Sequence, residues 1–258
     1  MMPFQGWASA LRAPAHYLGV NCQIKWGNMN SIRYLGIFLL FAGYSYAGDI
    51  YTTFPEQIKA DEAYVFYSHG LIVEGTNPRP MHKKFGIYEF PDIKNALAKG
   101  SNFNLIAHHR PENTKISDYT TTLVSWVKAL VESGVPPRNI TLIGFSRGGH
   151  ITAYASTELK ELKINTVLLA SCWPGGVQSE PPVTFGGHFL SIYETTDVAL
   201  SCKRLADRSS ALLSFDELAI STNKEHGAFF KPMDEWVDPL REWIHDKAVN
   251  KAFQRTSR

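Results

Sequence analysis

Three residue types that can share one reaction follow one another down the chain, each just beyond an apolar run. Ser146 closes "ITLIGFS" within Gly144-Phe145-Ser146-Arg147-Gly148, Asp197 follows "HFLSIYE", and His226 follows "FDELAIST". A serine hydroxyl is a poor nucleophile until a base accepts its proton, and that base needs a carboxylate to fix its tautomer. The glycines two residues before and after Ser146 have a steric purpose. A strand can turn sharply into a helix and present a side chain at the corner only if its neighbours there carry none. Gly149 adds further room. The chemistry such a set supports is acyl transfer to water through a covalent acyl-enzyme.

Other residues compete for these roles. Glu194 still falls inside its apolar run, whereas Asp197 lies in the loop beyond it, within reach of an imidazole. Asp216 and Glu217 are read as the start of a strand, at the far end of the sheet. Among the histidines, His69 precedes Gly70 in a strand-end turn, His150 lies one helical turn past Ser146, and His188 begins a strand. His108 and His109 are adjacent, so in an extended segment they face opposite ways and do not chelate one metal; no metal site is expected. Arg110 should emerge at the end of its strand, where it would either hold an anionic substrate group or brace a loop. Trp173 and Phe185 are candidate apolar substrate contacts, with plain packing the alternative for each.

The elements that must position these residues alternate in kind. The runs at 63–70, 103–109, 140–146, 165–171, 188–194 and 215–222 are mostly continuously apolar, as in strands buried on both faces of a parallel sheet. Between them lie helical segments at 91–100, 117–134, 147–162 and 198–213, and a last one at 233–249 follows, interrupted by Pro239. The second opens on Ser117 as its cap. Strand and helix in alternation predict an α/β fold, a mostly parallel sheet with helices on both faces.

On "GFSRGG", "YETTD", "KEHG" and "YSHG" the chain resembles the α/β-hydrolase superfamily, and more loosely its small secreted bacterial esterase-like members. The resemblance spans roughly residues 60–250. It implies a serine hydrolase with Ser146 as nucleophile, His226 as base and Asp197 as its acid. It also implies an oxyanion hole made by the backbone N–H groups of Leu71 and Arg147, leaving the charge of Arg147 incidental. His69 would orient the oxyanion loop. No cofactor is implied. The antiparallel pair that often opens this fold is not evident between Gly48 and Asp61, so a sheet of about six strands is expected. The linker at 172–187 is too short for a helical lid, so no large cap domain is expected.

Composition is that of an ordinary globular protein: 258 residues, 44% hydrophobic, with a formal net charge of +2 that suggests neither nucleic acid nor a polybasic membrane patch. The first acidic residue is Asp49, and within the acid-free region before it "MNSIRYLGIFLLFAGYSYAGD" reads as a signal peptide over 29–47, with translation starting at either Met1 or Met29. Residues 1–47 are then a leader and 48–258 a single domain, secreted or periplasmic and without stable membrane insertion. Loss of the leader leaves two cysteines. Cys172 ends the fourth strand and Cys202 lies past the Asp197 loop, so a disulfide could clamp that loop; two free thiols are the alternative. The expected protein is a monomeric hydrolase of a small-molecule carboxylic ester or thioester. An amidase or peptidase on the same triad, and a non-catalytic binding protein of the same fold, are the competing readings.

Overall fold

The chain's apolar runs become parallel strands. The computed structural model describes residues 48–177 and 182–248, all within one compact unit. The leader expected over 1–47 lies outside the described residues. Seven strands form one sheet: β1 (Ile50–Tyr51), β2 (Ala63–Ser68), β5 (Phe103–Ile106), β6 (Ile140–Phe145), β7 (Asn165–Leu169), β8 (Gly186–Glu194) and β9 (Ala211–Ile220). Their spatial order is β1-β5-β2-β6-β7-β8-β9, and every neighbouring pair is parallel. A two-stranded antiparallel ribbon, β3 (Met81–His82) with β4 (Gly86–Ile87), stands apart from it. The helices are α1 (Phe90–Ala98), α2 (Ile116–Glu132), α3 (Arg147–Glu158), α4 (Lys203–Asp207) and α5 (Asp234–Ala248).

From β2 the chain runs outward through α1 to β5, then returns across β2 through α2 to β6. Crossovers of one hand travelling in opposite directions put their helices on opposite faces. The core divides accordingly. Val65 and Tyr67 of β2 pack in one cluster with Ile93 and Leu97 of α1 and with Trp236 and Leu240 of α5. The alternate residues Tyr64 and Phe66 join Leu123 and Val127 of α2 and Ile151 and Ala155 of α3. A third cluster sets Leu168 and Phe189 against Ala153 of α3 and Leu205 of α4. The reversal between β5 and β6 opens a crevice at the carboxyl ends of the strands, where open α/β sheets bind ligands.

Several expectations are corrected here. The sheet has a seventh strand, β1, whose two residues pair with Leu105 and Ile106 of β5; two residues are too few to show periodicity. Ser117 does not cap α2. The helix opens at Ile116, with Lys115 at the cap position, and the Ser117 hydroxyl donates to Asp118 Oδ1 at 2.9 Å. The fourth helical segment shrinks to five residues because the chain is pinned on either side: Cys202 N–H donates to Glu217 Oε2 at 2.8 Å, and β9 already begins at Ala211. Asp216 and Glu217 are therefore mid-strand. Pro239 does not interrupt α5, since it sits on the side of exposed Glu235 and Asp238, where water can serve the freed carbonyl. Phe185 is no substrate contact. It precedes β8, at the opposite end of the sheet from Ser146, and is fully buried with its ring 4.7 Å from that of Phe189.

Cys172 and Cys202 are joined by a disulfide across a sequence separation of 30, with Cα atoms 5.3 Å apart. It ties the end of β7 to the segment following β8, and Leu200 N–H donates to Cys172 O at 3.1 Å alongside. In the chain-entropy account, closing a loop of that size constrains the unfolded chain by about 3.6 kcal/mol. Replacing both cysteines by serine should therefore lower Tm by roughly 7–15 °C in differential scanning calorimetry. An unchanged Tm would mean that the bridge adds nothing to stability.

Candidate active site

β6 gives way to α3 at Ser146, at the carboxyl end of the sheet. Ser146 has φ 53° and ψ −118°, a left-handed conformation for a residue with a side chain, and is partly exposed. Such a conformation costs on the order of 1–3 kcal/mol and persists only where packing dictates it. The packing is explicit. A Cβ on Gly148 would lie 1.9 Å from Ser68 O, and one on Gly144 would lie 2.4 Å from Gly148 O. Both glycines let α3 start directly against β6 and against the end of β2.

That approach sets α3 beside the segment Ser68-His69-Gly70-Leu71. Leu71 opens a short 3-10 helix (Leu71–Val73) and Arg147 opens α3. Backbone N–H groups at such first positions have no intrahelical acceptor and are free to bind an anion. His69 is fully buried and fixes the turn between them. Its Nε2 accepts from Arg110 N–H at 3.0 Å, so its Nδ1 carries the proton and donates to Gly70 O at 2.8 Å. Burial, with the Arg110 charge next in weight, pushes the imidazole well below its ordinary pKa and keeps it neutral.

Asp197 and His226 meet on the other side of Ser146. Asp197 Oδ2 accepts from His226 Nδ1 at 2.7 Å, while Oδ1 accepts from Val198 N–H at 2.7 Å. The carboxylate side chain is 2% exposed and the imidazole 20%. The His226 ring lies 4.7 Å from that of Phe145, the residue before Ser146, and 6.3 Å from that of Phe85. The Ser146 hydroxyl makes no hydrogen bond among the described residues; such contacts often tighten only once substrate is bound.

Glu194, the rival acid, has a different task. At the end of β8 it is fully buried and accepts four close hydrogen bonds: Thr196 N–H at 2.7 Å, Thr196 Oγ1 at 2.5 Å, Thr222 N–H at 2.8 Å and Asn223 N–H at 3.0 Å. One carboxylate thus clasps the loop carrying Asp197 to the loop carrying His226. Burial pushes its pKa up, but the hydrogen bonds from Thr196, Thr222 and Asn223 outweigh this and hold it below the ordinary value.

Arg110 is fully buried beneath the segment that follows β2, so its guanidinium is not open to a substrate anion. Its Nη2 donates to His69 O at 2.5 Å, its Nε lies 3.4 Å from Glu74 Oε1, and its guanidinium lies over the Tyr119 ring at 5.4 Å. The Arg147 side chain is likewise engaged, with Nε donating to Glu74 Oε1 at 3.1 Å and Nη2 to Thr114 O at 2.7 Å. Trp173, after β7, is partly buried and packs on His150 with ring centroids 4.6 Å apart. Burial, then Arg147, lowers His150 to about 4. His108 bonds Tyr119 OH through Nδ1 at 3.2 Å, and His109 donates from Nε2 to Val73 O at 2.5 Å. Among the described residues no three His, Cys, Asp or Glu side chains are grouped to hold a metal ion. Glu74 is the site residue that sequence reasoning missed, since nothing in its local sequence marks its partners.

A family model described as phospholipase/carboxylesterase matches residues 93–181. No curated protein matches the chain. Among solved structures, a doubly substituted form of esterase E40 aligns with TM-score 0.52 at 13% identity, over 76% of this chain and 80% of that one. The Francisella virulence factor BioJ aligns with TM-score 0.51 at 12% identity, over 74% and 79%. A hormone-sensitive lipase from a metagenome library gives TM-score 0.50 at 16% identity, over 74% and 80%. The fold is that of the α/β-hydrolase superfamily. All neighbouring strands of the seven-stranded sheet are parallel, and among the described residues no large cap domain covers the carboxyl ends of the strands.

The Glu194 clasp has a measurable signature. A carboxylate whose folded pKa is depressed stabilises above its ordinary value of 4.5, and that stabilisation is lost as pH falls through the lower folded value. Glu194→Gln should cost about 1–3 kcal/mol at pH 7, because buried donors lose an acceptor. The gap between wild type and variant, followed by urea denaturation, should narrow below pH 4.5. A gap independent of pH would remove the ionised clasp.

Proposed function

We propose that this protein is a serine hydrolase of carboxylic esters or thioesters, acting through Ser146, His226 and Asp197. The observation that carries the reading is the hydrogen bond of 2.7 Å from His226 Nδ1 to buried Asp197, beside a strained Ser146 at the strand-to-helix corner. The phospholipase/carboxylesterase family match over residues 93–181 supports the same reaction class.

His226 Nε2 would take the Ser146 proton as the hydroxyl oxygen attacks the ester carbonyl. The tetrahedral oxyanion would be bound by the N–H groups of Leu71 and Arg147, aided by the positive end of the α3 dipole. His226 then protonates the leaving alcohol or thiol. Water, activated by the same imidazole, releases the acid from Ser146. Asp197 stabilises the imidazolium and stays ionised. The rim suits an apolar acyl group: Leu71 is 53% exposed, Val198 77% and Leu200 45%, on loops to either side of Ser146. The disulfide and the signal-like segment at 29–47 favour action in an oxidising compartment.

A fluorophosphonate probe should label the wild type and leave Ser146→Ala unlabelled. Asp197→Asn should lower kcat for p-nitrophenyl esters by about 10⁴, through the wrong imidazole tautomer. Folded wild type that takes up no probe at Ser146 would favour the binding-protein reading.

A further inference from the structure

The two backbone donors assigned to the oxyanion belong to chain segments far apart in sequence, and one side chain joins both. Glu74 follows the short helix that begins at Leu71, and its N–H donates to Leu71 O at 3.0 Å. Its carboxylate is 3% exposed, and Oε1 receives Arg147 Nε at 3.1 Å and lies 3.4 Å from Arg110 Nε. Gly75 N–H donates to Arg110 O at 3.0 Å, so the loop after Leu71 is also fixed to the segment after β5.

The charges explain why a carboxylate stands there. Arg147 is the first residue of α3, where the macrodipole disfavours a cation. Arg110 is a fully buried guanidinium that needs a counter-ion. Glu74 answers both demands through one oxygen. Its position then couples the 3-10 turn of Leu71 to the first turn of α3.

We propose that Glu74 is a positioning residue that, through the Arg147 side chain, holds the N–H groups of Leu71 and Arg147 at the spacing the oxyanion requires. The proposal rests on the reading of Ser146 as nucleophile. It assigns the Arg147 guanidinium a role apart from its backbone N–H: the side chain is the strut, and the N–H is the donor. An oxyanion site contributes most in the transition state, so loosening it should appear in kcat more than in KM.

The test uses wild type, Glu74→Gln, Arg147→Met and the double variant, with p-nitrophenyl butyrate as substrate and an alkyl trifluoromethyl ketone as oxyanion mimic. Arg147→Met keeps the backbone donor and severs the same link at a partly exposed side chain, so it serves if Glu74→Gln does not fold. Each folded variant should lose roughly 10–100-fold in kcat, with KM within about threefold. Binding of the ketone should weaken by the same factor as kcat/KM. The double variant should be no worse than the poorer single one, because both cut one connection. Turnover per folded molecule that matches wild type, or a loss confined to KM, would overturn the proposal while leaving the esterase reading intact. A wild type without Ser146-dependent turnover would remove that reading and this proposal together.

Discussion

The corner at Ser146 is the constraint on which the rest of this structure depends. A residue with a side chain is held at φ 53° because β6 and α3 leave no other path. The helix can start there only by laying Gly148 against the backbone of Ser68. That single close approach sets the proposed nucleophile, the first N–H groups of α3 and the end of β2 against one another. A side chain at Gly148 would push α3 off β2, and the donor at Leu71 would move away from the donor at Arg147. The strain at Ser146 is therefore matched by contacts beyond the site, in the clusters that press α3 against Leu142 and Tyr64.

Two buried carboxylates hold the loops that the corner alone cannot hold. Glu194 gathers N–H groups from the segments after β8 and β9, so the Asp197 and His226 loops share one anchor. Glu74 bridges the segment after β2 to the first turn of α3. Each is nearly or fully inaccessible, so neither can exchange its protein partners for water without local opening. Loops at a sheet edge tend to be the mobile part of an α/β protein. Here that mobility is limited by charge-assisted hydrogen bonds at two points and by the Cys172–Cys202 bridge at a third.

What the sequence shows plainly is whatever depends on local pattern. Continuously apolar runs place β2, β5, β6, β7 and β8 to within a few residues, and the glycines around Ser146 reveal the corner because steric exclusion leaves a trace in the residues themselves. Chain order also suffices to bring Asp197 to His226, since both follow strands on the same side of the sheet. What depends on distant partners stays hidden. Glu74 reads as one acid among many until Arg147, 73 residues away, is seen to share it. Glu194 is a plausible catalytic acid until the N–H groups of Thr222 and Asn223 are found on it. Phe185 looks available for substrate because nothing local says that β8 starts directly after it. The helical segment expected over 198–213 survives only at 203–207, because β9, paired with β8, holds the chain from Ala211 onward in extended form.

The histidines around the carboxyl end of the sheet show how environment alone separates residues of one type. His69 is neutral and fully engaged, with one ring nitrogen accepting from Arg110 N–H and the other donating to Gly70 O. His108 and His109 turn opposite ways, toward Tyr119 and Val73, and His82 accepts from Lys84 N–H at 3.2 Å. His150 is lowered by burial to about 4, and its Nε2 is buried without a partner, so it stays neutral at pH 7. A general base needs one nitrogen fixed by an acid, the other turned to the cleft, and enough solvent contact to exchange its proton. Among the described residues at this end of the sheet, only His226 combines a carboxylate on Nδ1 with partial exposure beside the Ser146 corner. Burial and hydrogen-bond partners, acting on residues of identical chemistry, are sufficient to separate the candidate base from its structural neighbours.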